Sequence, residues 1–211
     1  MQPVKEKTLV IATGNPGKVR EFANWFQPLG WTVRSLANYD RLPDIVEDGE
    51  TFADNAWIKA STIADVLRVP VLADDSGLCV DALDGAPGVY SARYSGENAS
   101  DSANNAKLLS ELNKLGAEAS PGDGHPECLS EASFVCALVL YDPATDTKHQ
   151  AEGRVPGYIL KQARGNGGFG YDPLFYLPEY HCSMAELSLD EKNRISHRAR
   201  ALQSLFEHLK K

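Results

Sequence analysis

Between Thr8 and Phe26 the hydrophobic rhythm of the chain changes. "TLVIAT" is a short β-branched apolar run, and after "GNPGK" the apolar residues Val19, Phe22, Ala23 and Phe26 recur at i, i+3, i+4 and i+7. The first pattern predicts a strand and the second an amphipathic helix, with Asn-Pro-Gly as the tight turn between them. The alternation continues. "WTVRSL" predicts a second strand; Phe52, Ala56, Ala60, Ile63 and Leu67 form a helical stripe that Pro70 stops, and "VPVLA" predicts a buried third strand. That strand is expected to end at Asp74 and Asp75, delivering both carboxylates to a strand-to-loop edge, where open α/β sheets place their ligands.

Further along, Leu108, Leu109, Leu112 and Leu115 mark another helix. Residues 116–132, "GAEASPGDGHPECLSEA", interrupt both periods with Gly, Pro, Ser and acidic residues and predict a surface loop between two lobes. "SFVCALVLY" then predicts a long central strand, "DPATD" a turn and "KHQAEGRVPG" the hairpin partner. Ser196 suits an N-cap for a last helix running through "HRARALQSLFEHLKK", with Ile195, Ala199, Leu202, Phe206 and Leu209 on one face. Helices alternating with strands, and at least one hairpin, predict an α/β fold with a mixed sheet.

Composition narrows the function classes. With 211 residues, 43% of them apolar, the chain can bury a substantial core, and a single domain over residues 1–211 is expected. Its 21 basic and 29 acidic side chains leave a net charge of -8, which repels a nucleic-acid polymer or an anionic membrane but leaves room for a local basic site that holds a small anion. No apolar run approaches the roughly 20 residues needed to cross a bilayer, and "MQPVKEKTLVIATGN" lacks the longer apolar segment of a secretory signal, so a cytoplasmic protein is expected. Cys79, Cys128, Cys136 and Cys182 stand far apart with no C-x-x-C pair, against a zinc site or a disulfide framework.

Five stretches carry candidate chemistry. "TGNPGK" (Thr13, Gly14, Asn15, Pro16, Gly17 and Lys18) offers turn N–H groups at a helix start and a lysine, which suit phosphate oxygens; its glycine spacing is not that of a Walker A loop, and an ordinary Asn-Pro-Gly helix start is the competing reading. "ADDSG" sets two like charges side by side. An Asp-Ser-Gly turn accounts for one carboxylate, while the second calls for a cation, and oxygen ligands without nearby Cys or His favour Mg²⁺. Successive strand residues point to opposite faces, so one aspartate is expected to face a ligand and the other to hold the loop. "VEDGETF" and "DNAWIKA" supply Glu47, Asp48, Glu50 and Lys59, which otherwise read as an acidic capping segment and a solvated lysine. "GNGGFGYDP" packs four glycines around Phe169 and Tyr171, an arrangement that gives a planar ring a stacking face unless the aromatics turn into the core. "DEKNRISHRARA" gathers Lys192, Arg194, His197, Arg198 and Arg200 around a helix N-terminus, where the dipole disfavours cations and a bound anion would reverse that.

Taken in order, "ATGNPGKVREF", "VEDGETFADNAWIKA", "LADDSGLCVDALDGAPGVYSARYSG", "FVCALV", "GNGGFGYDPLF" and "AELSLDEKNRISHRARAL" resemble the inosine triphosphate pyrophosphatases, the HAM1-like family of non-canonical purine nucleoside triphosphate pyrophosphatases, over nearly the whole chain. The resemblance implies a two-lobed α/β fold around a long central mixed sheet flanked by helices, usually a homodimer, with the nucleotide in the cleft between lobes. It implies Mg²⁺-dependent hydrolysis of ITP, dITP or XTP to the monophosphate and pyrophosphate. By match to the family's motifs, residues 13–18 become a triphosphate loop and Lys59 a phosphate contact. Asp75 becomes the proton acceptor and a metal ligand with Glu47, and Ser76 a substrate contact. Phe169, Gly170, Tyr171 and Asp172 become the base-binding segment, and Lys192, His197 and Arg198 further substrate contacts, Arg198 being the candidate donor to a purine C6 keto oxygen.

The chain departs from the family pattern at Val46, which stands where many relatives carry the first of two acidic residues, and this bears directly on Glu47 as a metal ligand. Two other readings compete: a sensor that binds a triphosphate without cleaving it, and a related enzyme such as a Maf-like pyrophosphatase or a Mg²⁺ phosphatase. An aspartyl-phosphate phosphatase wants D-x-D after its first strand, whereas the aspartates here are adjacent and follow the third.

Overall fold

The computed structural model describes residues 7–209, so the first six residues of the chain and the expected continuation of the last helix through Lys210 and Lys211 lie outside the described residues. Seven strands among them form one sheet in the order β2-β1-β3-β4-β5-β6-β7. They are β1 (Lys7–Ile11), β2 (Trp31–Ser35), β3 (Val71–Val80), β4 (Cys128–Asp142), β5 (Thr147–Leu160), β6 (Phe175–Leu177) and β7 (Cys182–Ser183). Strand β1 pairs in parallel with β2 and β3, while β5–β6 and β6–β7 are antiparallel, which makes the sheet mixed as the alternation predicts. The helices are α1 (Pro16–Phe26), α2 (Phe52–Leu67), α3 (Asp101–Leu115), α4 (Leu189–Ile195) and α5 (His197–Leu209). None is long and apolar enough to cross a membrane.

The chain divides into two compact units, one of residues 7–75, 137–152 and 202–209, the other of residues 76–136 and 153–201. In the first, α2 is fastened at its start by a reciprocal cap: Thr51 Oγ1 accepts the Asp54 N–H at 3.1 Å while Asp54 Oδ2 accepts the Thr51 N–H at 3.1 Å. It stops where Arg68 takes a left-handed conformation ahead of Pro70. Its small buried side chains Ala56, Ala60 and Ala64, with Ile63, pack against Val10, Val71 and Ala73 of the sheet. In the second unit the core gathers Leu78, Val80, Leu108, Leu112, Val155, Ile159, Leu174 and Phe175. Here Gly153 admits the backbone of α5, since a Cβ at that position would collide with the His197 carbonyl and the Ala201 amide.

Four sequence expectations are corrected. Strand β3 does not end at the aspartates: it runs on to Val80 and carries Asp74 and Asp75 in its middle. The polar formula survives inside a ladder because a lysine answers Asp74 and side chains of α2 answer Asp75. The loop predicted over 116–132 is shorter, because β4 starts at Cys128; Ser130, which reads as a loop residue, is buried and its Oγ accepts the Ala82 N–H at 3.0 Å. Leu115, assigned to the apolar stripe of α3, is 61% exposed because the helix ends at the left-handed Gly116 directly after it. Ile195, expected on the apolar face of the last helix, instead ends a separate helix, α4, which starts at a Ser188–Glu191 capping box that the sequence displays as S-x-x-E.

Candidate functional site

In the first unit, β1 ends at Ile11 and the chain turns through residues 12–15 into α1. Asn15 caps that helix, its Oδ1 accepting the Gly17 N–H at 2.8 Å and the Lys18 N–H at 3.3 Å, while Pro16 occupies the first turn, where no donor is needed. Thr13 Oγ1 accepts the Asn15 N–H at 3.2 Å. Gly14, Asn15 and Pro16 are exposed and Thr13, Gly17 and Lys18 half-buried. Two N–H groups expected to face phosphate are thus engaged by the cap. Lys18 reaches across to β3, its Nζ standing 2.7 Å from Oδ2 of Asp74, whose side chain is completely buried. Asp74 therefore anchors a lysine 56 residues away in sequence, instead of fixing a turn.

Asp75 faces a different set. Its Oδ2 accepts Asn55 Nδ2 at 3.0 Å, and its Oδ1 lies 3.5 Å from Lys59 Nζ, which also donates to Glu47 Oε2 at 2.6 Å. Asn55 and Lys59 stand four residues apart on the buried face of α2, so one helix face presents an amide and an ammonium to one carboxylate. Burial by itself would depress the Lys59 pKa, but the charge of Asp75, followed by the hydrogen bond and charge of Glu47, more than offsets it and holds the ammonium above its ordinary value. Asn55 was not singled out by the sequence reading. It is fully buried, and its Oδ1 also accepts the Gly49 N–H at 2.9 Å, which ties the segment carrying Glu47 to Asp75. Gly49 permits that approach, since a Cβ there would lie 2.6 Å from Asp54 Cβ and 2.8 Å from Asn55 Oδ1.

These partners give the two aspartates different expected effects. Asp74→Asn weakens a buried ion pair, a change worth the lower end of about 3–5 kcal/mol because Lys18 keeps some contact with water, and the melting temperature is expected to fall by about 5–10 °C. A thermal melt matching the unaltered protein within a degree would remove the structural role assigned to this pair.

In the second unit, Ser76 continues β3 half-buried. The glycine-rich segment 165–172 separates its two aromatics. Phe169 is 57% exposed, whereas Tyr171 is buried, its hydroxyl donating to the Ser91 carbonyl at 2.8 Å, and burial pushes its phenol pKa upward. Asp172, also buried, accepts the Phe169 N–H at 2.9 Å and pairs closely with Lys192 Nζ. Gly168, at φ +74°, lies where any Cβ would strike the Asp172 carboxylate. The Lys192 ammonium also sits over the Phe169 ring, 4.7 Å from its centroid. His197 and Arg198 open α5 and are both buried, the His197 ring stacked on Phe134 with centroids 5.1 Å apart. Ser196 Oγ accepts the Ala199 N–H at 3.1 Å, the cap expected from the sequence. Arg200 is an exposed residue that donates to the Arg154 carbonyl at 2.9 Å.

Sequence reasoning also passed over Asp101 and Asn105, which hold the two polar groups of Gly170. Its N–H donates to Asp101 Oδ2 at 2.6 Å, and its carbonyl accepts Asn105 Nδ2 at 2.9 Å. The available signal was a pair of short polar residues at i, i+4 in the first turns of α3. Among the described residues no group of three or more His, Cys, Asp or Glu side chains gathers as a metal site; the carboxylates converging on the Lys59 ammonium are Glu47 and Asp75.

The sequence pattern of the Ham1 family matches residues 9–208. A dITP/XTP pyrophosphatase of Geobacter sulfurreducens is 51% identical over 201 residues, covering 95% of this chain and 96% of that one, and one of Geobacillus kaustophilus is 52% identical over 201 residues, covering 95% and 93%. Among solved structures, the Ham1 protein of Staphylococcus aureus is similar with a TM-score of 0.83 and 40% identity, and a HAM1 protein of Coxiella burnetii with 0.85 and 38%. Each comparison covers 97% of this chain and 98% of the other.

Proposed function

The chain belongs to the Ham1 family, and from that premise we propose that its 211 residues act as one catalytic domain hydrolysing dITP, XTP and ITP to the nucleoside monophosphate and pyrophosphate. The observation that carries the reading is the convergence of Glu47 and Asp75 on one buried ammonium, in a chain half identical to two proteins named for this activity.

The residues fit Mg²⁺. Two oxygen-ligand carboxylates already meet around a single positive charge, and Mg²⁺ takes one or two carboxylates together with substrate phosphates. Glu47 and Asp75 would hold it, and Val46, 69% exposed, lies outside this ligand pair. When bound, the ion supplies charge neutralisation at the phosphate oxygens. Asp75 is the proton acceptor: an oxygen of water bonds to the α-phosphorus and its proton passes to the carboxylate. The bond from that phosphorus to the α,β-bridging oxygen breaks, and pyrophosphate leaves with the electron pair. Asn55 holds Asp75 from the other side, and Lys18 and Lys59 offset charge on the departing phosphates. The turn of residues 13–18 receives the triphosphate, with Ser76 beside Asp75 as a further contact. Phe169 is the stacking ring for the base, Gly170, Tyr171 and Asp172 are its support, and Lys192, His197 and Arg198 are further substrate contacts.

Purified protein with Mg²⁺ and a panel of purine and pyrimidine triphosphates tests the proposal. Monophosphate and pyrophosphate in equal amounts from ITP, dITP and XTP are expected, while release of orthophosphate, or binding without products, would overturn it. A homodimer in the cytoplasm belongs to the same proposal; equilibrium sedimentation, expected at twice the monomer mass, checks the first part.

A further inference from the structure

Phe169 presents more than half of its surface to water, and an exposed aromatic on a glycine-rich segment folds away onto nearby apolar surface unless its backbone is held. Here it is held on both sides. Its own N–H is taken by Asp172 at 2.9 Å, and the following peptide is gripped by α3. Asp101 and Asn105 lie one turn apart on the same helix face and take the Gly170 N–H at 2.6 Å and the Gly170 carbonyl at 2.9 Å. Gly170 sits at φ +61°, a left-handed conformation that glycine adopts without penalty. Asp172 also holds this peptide, its N–H donating to the Phe169 carbonyl at 3.3 Å, while the two contacts from α3 fix the Gly170 N–H and carbonyl, so the position of the ring relies on α3 as well as on Asp172.

We infer that Asp101 and Asn105 are positioning residues for purine recognition: they fix the Gly170 peptide so that the Phe169 ring stands out to stack on the base. The inference rests on the reading of Phe169 as the stacking ring proposed above. A charge-assisted hydrogen bond and a base–aromatic stack are each worth enough to change affinity by about tenfold or more. Asp101 is exposed and Asn105 half-buried, so removing either leaves the core untouched.

The full chain is assayed with ITP as substrate and with two competitive inhibitors, IMP, which carries the base, and inorganic tripolyphosphate, which has none. Asp101→Ala is expected to raise KM for ITP and the inhibition constant of IMP by about tenfold, leaving kcat within about threefold and the tripolyphosphate constant unchanged. Asp101→Asn keeps an acceptor for the Gly170 N–H and is expected to restore IMP binding to within about threefold of the unaltered protein. Phe169→Ala should reproduce the loss, and Phe169→Ala with Asp101→Ala should lose no more than Phe169→Ala alone, because the clamp acts only through the ring. If Phe169→Ala weakens IMP while Asp101→Ala does not, or if the two losses add, the clamp is overturned and the stacking ring stands. If Phe169→Ala leaves IMP binding unchanged, the stacking reading falls and takes the clamp with it.

Discussion

Asp75→Asn is expected to lower kcat on ITP by about a hundredfold to ten-thousandfold, the range for loss of a positioned general base, with the loss of a metal ligand adding to it. The substitution preserves size and one acceptor oxygen, so the contact with Asn55 Nδ2 at 3.0 Å can persist and the melting temperature should change little. What disappears is the charge. Lys59 loses the interaction that does most to keep its buried ammonium charged and keeps the Glu47 carboxylate 2.6 Å away. Asp74→Asn is the control one residue away: its carboxylate points to Lys18 and away from the Asn55–Lys59 face, so stability should fall more than turnover. Steady-state kinetics paired with thermal melts separate the two, and equal losses of activity without a change in stability for both would contradict the division.

The second large effect concerns how ATP, present in excess in any cell, is spared. Hypoxanthine and xanthine carry a keto oxygen at C6 where adenine carries an amino group. A buried guanidinium donating there rewards the first and is left unpaired by the second, a mismatch that can exceed a thousandfold. Arg198 is 6% exposed at the start of α5, beside His197, whose ring is fixed by its stack on Phe134. Stacking on Phe169 cannot supply this discrimination, because every purine has the same kind of face. Arg198→Ala is expected to lower kcat/KM for ITP by about a hundredfold to a thousandfold with little change for ATP, so that the ratio between them collapses. Arg198→Lys, which keeps the charge but not the planar fork, should fall in between. An unchanged ITP/ATP ratio in the alanine variant would leave Arg198 with a phosphate or structural role.

Local periodicity was enough for most elements. The stripe of Phe22 and Phe26 in α1 and that of Ala56, Ala60 and Ile63 in α2 are buried as their spacing requires, and Ser196 caps α5. Two of the misreadings fall where polar residues sit inside buried strands. "ADDSG" and "CLSEA" carry the composition of turns, and they are strands because partners distant in the chain satisfy them, Lys18 for Asp74 and Ala82 for Ser130. An exposed copy of either segment would turn; pairing removes the desolvation cost that otherwise keeps such residues out of a ladder.

The sequence by itself determined the order of elements from β1 to β5 and the final helix α5 with its Ser196 cap, the acidic composition and, through six motifs in register, the family, but not β6, β7 or α4. It also marked the residues that carry charge and ring chemistry. Only the tertiary structure decided which partner each one takes. Asp75 meets Asn55 and Lys59 across 20 and 16 residues, Asp74 meets Lys18 across 56, and Gly170 meets Asp101 across 69. A helix or strand repeats every 3.6 or 2 residues, so it leaves a trace in any short window. A contact made across tens of residues has no period, and it depends on how far a side chain reaches once the backbone is already in place. The same reason hid which aromatic of the glycine-rich segment would be buried. Tyr171 turns inward because its hydroxyl finds the Ser91 carbonyl 80 residues earlier, and Phe169 stays outside where Asp172 takes its N–H and Asp101 and Asn105 hold the Gly170 that follows.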